Sequence, residues 1–371
     1  MPKGFEHSIA DFPGMPRGVE YPISTILQAW KNGACALLPT ESTYELTASA
    51  LDPGAVARLQ SLISQDELPA IILKDEAQVR DWMPLLSGAG LRLYRKLGPG
   101  PLVVRANGGY AYGLCTRLPE SVQRFLIRDG CLALRWPAHP VWAALGESDQ
   151  PLISVALPCR TAQEALARIR EEVACVDAGP TEFGALPGVV RVEGRRCLVE
   201  REGVLRREQI EELVLCRILF ICTGNTCRSP MAEALCGKLL ADRLGCKTSE
   251  LQQHGFCVQS AGLAAMMGCE ASPEAVTVIA QEGGDLSSHA SRMITTEMLA
   301  WADHIFTMTA SHWYALKNVP RLLDGISQPR LLSPQDEDVA DPIGGEFADY
   351  RACANQILAC LEQRLPELLE S

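Results

Sequence analysis

Arg217-Ile-Leu-Phe-Ile-Cys222-Thr-Gly-Asn-Thr-Cys-Arg228-Ser-Pro230 decides how the second half of this chain folds. An apolar run ends at Cys222, a short glycine-containing loop follows, and Ser-Pro opens an amphipathic stretch. Proline suits the first turn of a helix, where its missing N–H costs nothing. The pattern predicts a strand, a tight loop and a helix, with the loop N–H groups and the helix N-terminus converging on one anion. A Cys followed six positions later by an Arg is a weak signal in a chain with 15 cysteines. Only Cys222 has an arginine at that spacing, and its strand-to-helix setting supplies the specificity.

Each residue type in the loop has a chemical reason to be there. The thiolate is the nucleophilic form of cysteine, and a helix N-terminus beside a cation favours it. Arg228 offers a planar fork for two phosphoryl oxygens. The Ser229 hydroxyl is placed to donate to the Cys222 thiolate. Gly224 permits close approach of backbone to phosphate. Asn225 tolerates left-handed backbone angles and can tie the loop by its side chain. Thr223, Gly224, Asn225, Thr226 and Cys227 together form the expected phosphate cradle. A leaving group also needs a proton, and Asp341 in Val339-Ala-Asp-Pro342 sits in a loop suited to present a carboxyl group over a site.

Outward from that loop, strands and helices alternate. Strands are expected at 217–221, 256–260 and 304–308. Helices are expected at 229–244, 272–282, 295–301 and from about 345 to 369. This rhythm implies a parallel α/β sheet covered on both faces, with ligands beyond the carboxyl ends of its strands. Residues 17–214 read as a separate mixed α/β domain, with apolar strand-like runs at 34–38, 70–73, 102–104, 132–134 and 152–155 and an amphipathic helix at 161–173. The basic stretch 191–207 alternates with acids and apolar residues, as on the solvated face of a hairpin. The boundary is expected near residue 214, with the second domain at 215–371.

Composition narrows the choices further. At 371 residues the chain exceeds one ordinary core, and 47% hydrophobic with 21% charged residues excludes extended disorder. The cysteines are scattered through apolar segments and show no zinc-site spacing, so reduced thiols and no metal or cofactor are expected. No run is long enough to span a membrane, and the N-terminus lacks a signal-peptide layout, which points to the cytoplasm. The net charge of −11 argues against broad nucleic-acid binding.

Residues 217–371 resemble the low-molecular-weight protein tyrosine phosphatase family. The matching segments are Cys222–Glu233, Ser260-Ala-Gly262, Ser288-His-Ala290, 302–308 and Asp341-Pro342. The resemblance implies nucleophile Cys222, phosphate clamp Arg228, support of the thiolate by Ser229 and general acid Asp341, acting through a phosphocysteine intermediate on a phosphorylated protein. It places Asn225, Ser260 and His289 in a supporting hydrogen-bond network. It makes Cys227 a second thiol able to form a reversible disulfide with the nucleophile. Within the family the loop is most similar to protein-arginine phosphatases, where threonine at the position of Thr226 favours phosphoarginine. Ile343-Gly-Gly345 lacks the aromatic wall common in tyrosine phosphatases, and also the phenylalanine expected of an arginine phosphatase, so both substrates stay open. An arsenate reductase branch requires further cysteines, which Thr309-Ala-Ser-His-Trp-Tyr314 lacks.

Residues 17–214 resemble the YrdC-like threonylcarbamoyl-adenylate synthases, through Leu38-Pro-Thr-Glu-Ser-Thr-Tyr44, Leu97–Leu102, Arg135-Trp-Pro-Ala-His-Pro140 and Val199–Gly203. The family implies a twisted α/β sheet around a nucleotide cavity, to which Thr40, Tyr44 and Arg135 would contribute, with a nucleotide or RNA as possible ligand. The expected Lys-x-Arg-Pro grip on the triphosphate is replaced by Leu62-Ile-Ser-Gln-Asp-Glu-Leu-Pro69. Ser-Ala-Asn and Ser-Thr-Val are replaced by Ala156-Leu-Pro158 and Pro187-Gly-Val189. Exchanging cations for acids forfeits charge-assisted binding of a polyphosphate. The expectation is a domain that kept the fold and lost the synthesis; the alternative is a bifunctional enzyme. His139 is expected to be a structural histidine.

Overall fold

The computed structural model describes residues 23–145, 150–317 and 327–370. The expected start of the first domain at residue 17 and the N-terminal stretch read for a targeting signal lie outside them. The chain divides into two compact units between Val214 and Leu215.

The first unit is built on a mixed sheet of nine strands. They are β1 (Ala36–Pro39), β2 (Tyr44–Ser49), β3 (Pro69–Ile72), β4 (Leu102–Ala106), β5 (Leu132–Arg135), β6 (Leu152–Ala156), β7 (Ala174–Cys175), β8 (Gly188–Glu193) and β9 (Arg196–Arg201). Their order is β7-β1-β2-β6-β3-β5-β4-β8-β9. The five apolar runs expected as strands all lie in it. Four strands escaped the apolar pattern, and β2 shows why. It alternates apolar with polar residues, yet all six are buried. Its polar face is partnered internally: Thr47 Oγ1 accepts from Trp30 Nε1 at 3.2 Å and Glu45 Oε1 pairs with Arg135. The helix expected over 161–173 is shorter, Ala162–Ile169. A capping box between Thr161 and Glu164 starts it, and Arg170 in the left-handed region (φ 57°) stops it. β8 and β9 form an antiparallel hairpin turned at Gly194 (φ 58°), and their exposed residues alternate as the charge pattern predicted.

The second unit has four parallel strands, β10 (Cys216–Cys222), β11 (Phe256–Gly262), β12 (His304–Thr307) and β13 (Arg330–Leu331), in the order β11-β10-β12-β13. Side chains alternate across a strand, and β10 uses both faces. Ile218, Phe220 and Cys222 join a core with the helices Arg228–Leu244, Pro273–Gln281 and Phe347–Glu370. Leu219 and Ile221 join the opposite core with the helices Thr296–Trp301 and Ala310–Lys317. Every residue of β10 except Arg217 is buried, which accounts for its unbroken apolar sequence. The sheet is therefore a parallel α/β sheet covered on both faces, as its sequence rhythm predicted. The helix Ala310–Lys317 and the two-residue β13 had no clear signal.

Candidate active site

Cys222 is the last residue of the central strand β10, and Arg228 is the first of the helix that follows. The intervening loop is drawn tight by Asn225, which has a positive φ of 56° and is fully buried. Asparagine is one of the few residues with a side chain that accept this conformation readily. Its backbone N–H points at Cys222 Sγ, 3.3 Å away, and its Nδ2 donates to Ser229 Oγ at 3.0 Å and Ser260 Oγ at 2.9 Å. The Ser229 hydroxyl lies 2.9 Å from Cys222 Sγ. The Ser260 hydroxyl, on β11, donates a hydrogen bond to Glu233 Oε2 at 2.6 Å. Burial pushes the Glu233 carboxyl above its ordinary value. His289 Nε2 donates to the Asn225 carbonyl at 2.7 Å, and the Arg292 N–H donates to Asn225 Oδ1 at 2.9 Å.

Arg228 and Asp341, expected as phosphate clamp and general acid, meet each other directly. Arg228 Nη2 lies 2.5 Å from Asp341 Oδ2, with the arginine side chain 7% exposed and the aspartate 44%. Arg228 Nη1 also reaches the Val339 carbonyl at 3.4 Å. Asp341 Oδ1 accepts from the Ile343 N–H, so the carboxyl group is held by its own turn. Cys227 Sγ is 3.3 Å from Ser272 Oγ and 3.6 Å from both Tyr350 OH and Thr226 Oγ1. Thr226 is fixed from behind, its carbonyl accepting from the Ser272 N–H at 2.9 Å. Thr223 Oγ1 lies 2.8 Å from His312 Nε2.

The fold thus brings together Cys222, Thr223, Gly224, Asn225, Thr226, Cys227, Arg228, Ser229, Ser260, His289 and Asp341. Sequence reasoning missed Glu233, Gly262, Ser272, Arg292 and His312 as parts of the same assembly. Gly262 is the position where glycine is sterically required, since a Cβ there would sit 2.5 Å from the Thr223 carbonyl oxygen. At Gly224 a Cβ would meet only Thr226 Oγ1, at an ordinary 3.7 Å.

In the first unit the expected cavity residues are placed differently. Thr40, Tyr44 and Arg135 are fully or almost fully buried, at 0%, 0% and 1% exposure. Arg135 is locked between Glu41 and Glu45 and donates to the Gly100 carbonyl. Thr40 Oγ1 donates to the Thr43 carbonyl, and the Tyr44 hydroxyl to that of Gly179. Each is thus used up in bonds within the fold, because a buried polar group left unpaired would be costly. A cavity of about 440 Å³ does exist, lined in part by Trp82, Trp136, Trp142 and His139, but none of the three lines it. His139 caps the helix Pro140–Ala144 through Nδ1, and burial pushes its pKa down to about 4, as befits a structural histidine.

Among the described residues no helix is long and apolar enough to cross a membrane. The site is a buried thiol at the junction of a central parallel strand and a helix, with the Ser229 hydroxyl and the Asn225 N–H on its sulfur and an Arg228–Asp341 pair in the same assembly. A family model described as low molecular weight phosphotyrosine protein phosphatase matches residues 217–371. A Sua5–YciO–YrdC model, described as telomere recombination, matches residues 28–203. A protein-arginine-phosphatase of Geobacillus stearothermophilus is 38% identical over 157 residues, which is 42% of this chain and 97% of the relative. Its counterpart in Bacillus subtilis is 33% identical, over 41% of this chain and 95% of the relative. A probable low molecular weight protein-tyrosine-phosphatase of Ralstonia nicotianae is 30% identical, over 41% and 94%. Through its second domain the chain belongs to the low molecular weight phosphotyrosine protein phosphatase family. Both resemblances read from the sequence are borne out.

Proposed function

We propose that residues 215–371 form a cysteine-dependent protein phosphatase that works through a phosphocysteine intermediate and prefers phosphoarginine to phosphotyrosine. The observation that carries this reading is the Cys222 thiol, with the Asn225 N–H and the Ser229 hydroxyl on it and Arg228 paired to Asp341 close by. The phosphoryl group enters the loop, and Arg228 exchanges Asp341 for two phosphoryl oxygens. Cys222 Sγ attacks phosphorus; the S–P bond forms as the bond to the leaving nitrogen or oxygen breaks. The proton given up by the Cys222 thiol passes by way of the phosphoryl oxygens to Asp341 once that carboxylate is freed from the guanidinium, and Asp341 delivers it to the leaving atom. Water then attacks the phosphocysteine and loses a proton to Asp341, and the thiolate departs onto the Ser229 hydroxyl and the Asn225 N–H. No metal enters these steps, since Arg228 and the loop amides carry the phosphoryl charge.

Phosphoarginine is favoured by Thr226 and by two relatives that carry the name protein-arginine-phosphatase. Ile343, 68% exposed beside Asp341, offers a substrate less stacking surface than an aromatic ring. The test is kcat/KM on matched phosphoarginine and phosphotyrosine peptides, for the natural chain and Thr226→Ile. The ratio is expected to swing toward tyrosine by about tenfold or more, the scale of a single well-placed contact. An unchanged ratio removes Thr226 as the selector.

The first domain we read as a YrdC-like fold without synthase activity. Where the family grips a triphosphate, Glu67 instead accepts from the Ser64 N–H at 2.7 Å and pairs with Arg168. Arg135 is spent on Glu41 and Glu45. The full chain given ATP, threonine and bicarbonate is expected to yield no threonylcarbamoyl-AMP by mass spectrometry. Product at a rate comparable to a working synthase would make the protein bifunctional. The same substitutions count against a nucleotide ligand, and the charge of −11 counts against RNA.

A further inference from the structure

We propose that His312 is a positioning residue for this reaction, fixing through Thr223 the peptide unit that follows the nucleophile. The inference rests on the phosphatase reading above. Thr223 is the one exposed side chain of the loop and would otherwise rotate freely. Its hydroxyl is held 2.8 Å from His312 Nε2. The imidazole is itself held, with Nδ1 2.9 Å from Thr309 Oγ1, while the His312 backbone N–H donates to that same oxygen at 3.3 Å. Thr309 Oγ1 further contacts Ser311 Oγ at 2.8 Å. The ring is only 5% exposed, and its helix is anchored by Leu316 in the core beneath β10.

The same helix start grips the segment that carries the acid. The Ala310 N–H donates to Asp338 Oδ1 at 2.7 Å, and Gln356 bonds both the Asp338 carbonyl and the Ala340 N–H. One turn of chain, 309–312, is therefore tied to the residue after the nucleophile and to the approach to Asp341. The charged groups facing His312 are Arg228, Asp341 and Asp338. Burial first, and then the Arg228 charge, hold the imidazole below its ordinary pKa. It thus serves as a neutral hydrogen-bond partner and does not add a second cation beside the phosphate clamp.

The test is a double-mutant cycle in the full chain, with His312→Ala, Thr223→Val and the pair, plus His312→Gln as the conservative variant. Two readouts are taken: kcat and KM on p-nitrophenyl phosphate, and the rate at which iodoacetate alkylates Cys222, with Cys222→Ser marking the contribution of other thiols. Each single change is expected to lower kcat about tenfold, the scale of one lost hydrogen bond, with KM within about twofold. The double variant should lose no more than either single, and His312→Gln should recover part of the loss. Alkylation should slow in parallel and with the same non-additivity. Losses that multiply to about a hundredfold, or a single variant with unchanged kcat, overturn the proposal. If the natural chain fails to hydrolyse the aryl phosphate, it is the phosphatase reading that has failed. The alkylation cycle then decides the positioning role by itself, and unchanged rates end it.

Discussion

Serine in place of Cys222 is expected to abolish hydrolysis of p-nitrophenyl phosphate, a loss on the order of 10⁶-fold, as when other covalent catalysts lose their nucleophile. That corresponds to about 8 kcal/mol of transition-state stabilisation. The size follows from how the site is built. Sγ is the group on which the Asn225 N–H and the Ser229 hydroxyl converge, at 3.3 and 2.9 Å. In the proposed mechanism these donors would steady an anionic sulfur both as attacking and as leaving group. An alcohol surrenders its proton far less readily, and the described residues place no general base on Cys222 to remove one. The substitution is nearly isosteric, so the loop should persist and still bind inorganic phosphate, which calorimetry can verify. Undiminished turnover with intact phosphate binding would move the chemistry away from Cys222.

Much of this site was legible because its residues carry unusual backbone or charge requirements. Asn225 was singled out for left-handed tolerance and has a φ of 56°. Pro230 was read as a helix opener and falls in the first turn of the helix Arg228–Leu244. The run 217–221 was legible as a buried strand because parallel strands covered on both faces cannot alternate in polarity. His312 was not legible, because its role depends on where an unanticipated helix begins. The available signal was local: Thr309 lies three residues before it, at the distance from which a hydroxyl caps a helix start. Glu233 closes the segment Cys222–Glu233, but nothing in the sequence shows that helix and β11 bring it to Ser260. In the first domain the error lay in charge pairing. Arg135 reads as a free cation beside a cavity until β5 is seen next to β3, with Glu41 and Glu45 within reach of its guanidinium. A strand order with β6 and β3 between β2 and β5 cannot be inferred from the spacing of apolar runs.

Asp341→Asn is expected to remove both the proton donor and the ion pair with Arg228, and a comparison of leaving groups separates the two losses. Asparagine has one side-chain oxygen, which can still accept from the Ile343 N–H and hold the turn, but its NH2 group cannot replace Oδ2 as the partner of the Arg228 guanidinium. It cannot give a proton to a leaving group. For phosphoarginine or phosphotyrosine peptides, whose leaving groups are poor without that proton, kcat/KM, which reports the first step, should fall by about 10²–10⁴-fold, the range of general acid catalysis. For p-nitrophenyl phosphate, which leaves as a stabilised anion, the first step needs little protonation and the fall should be smaller. The second step still lacks its base, so phosphocysteine should accumulate on Cys222 and be visible as an increase in protein mass after acid quench. The contrast between substrates is what decides. Equal losses for both kinds of leaving group, without an accumulated intermediate, would mean that Asp341 acts only by holding Arg228. The 2.5 Å contact between them would then be a structural tether and not the resting state of the acid.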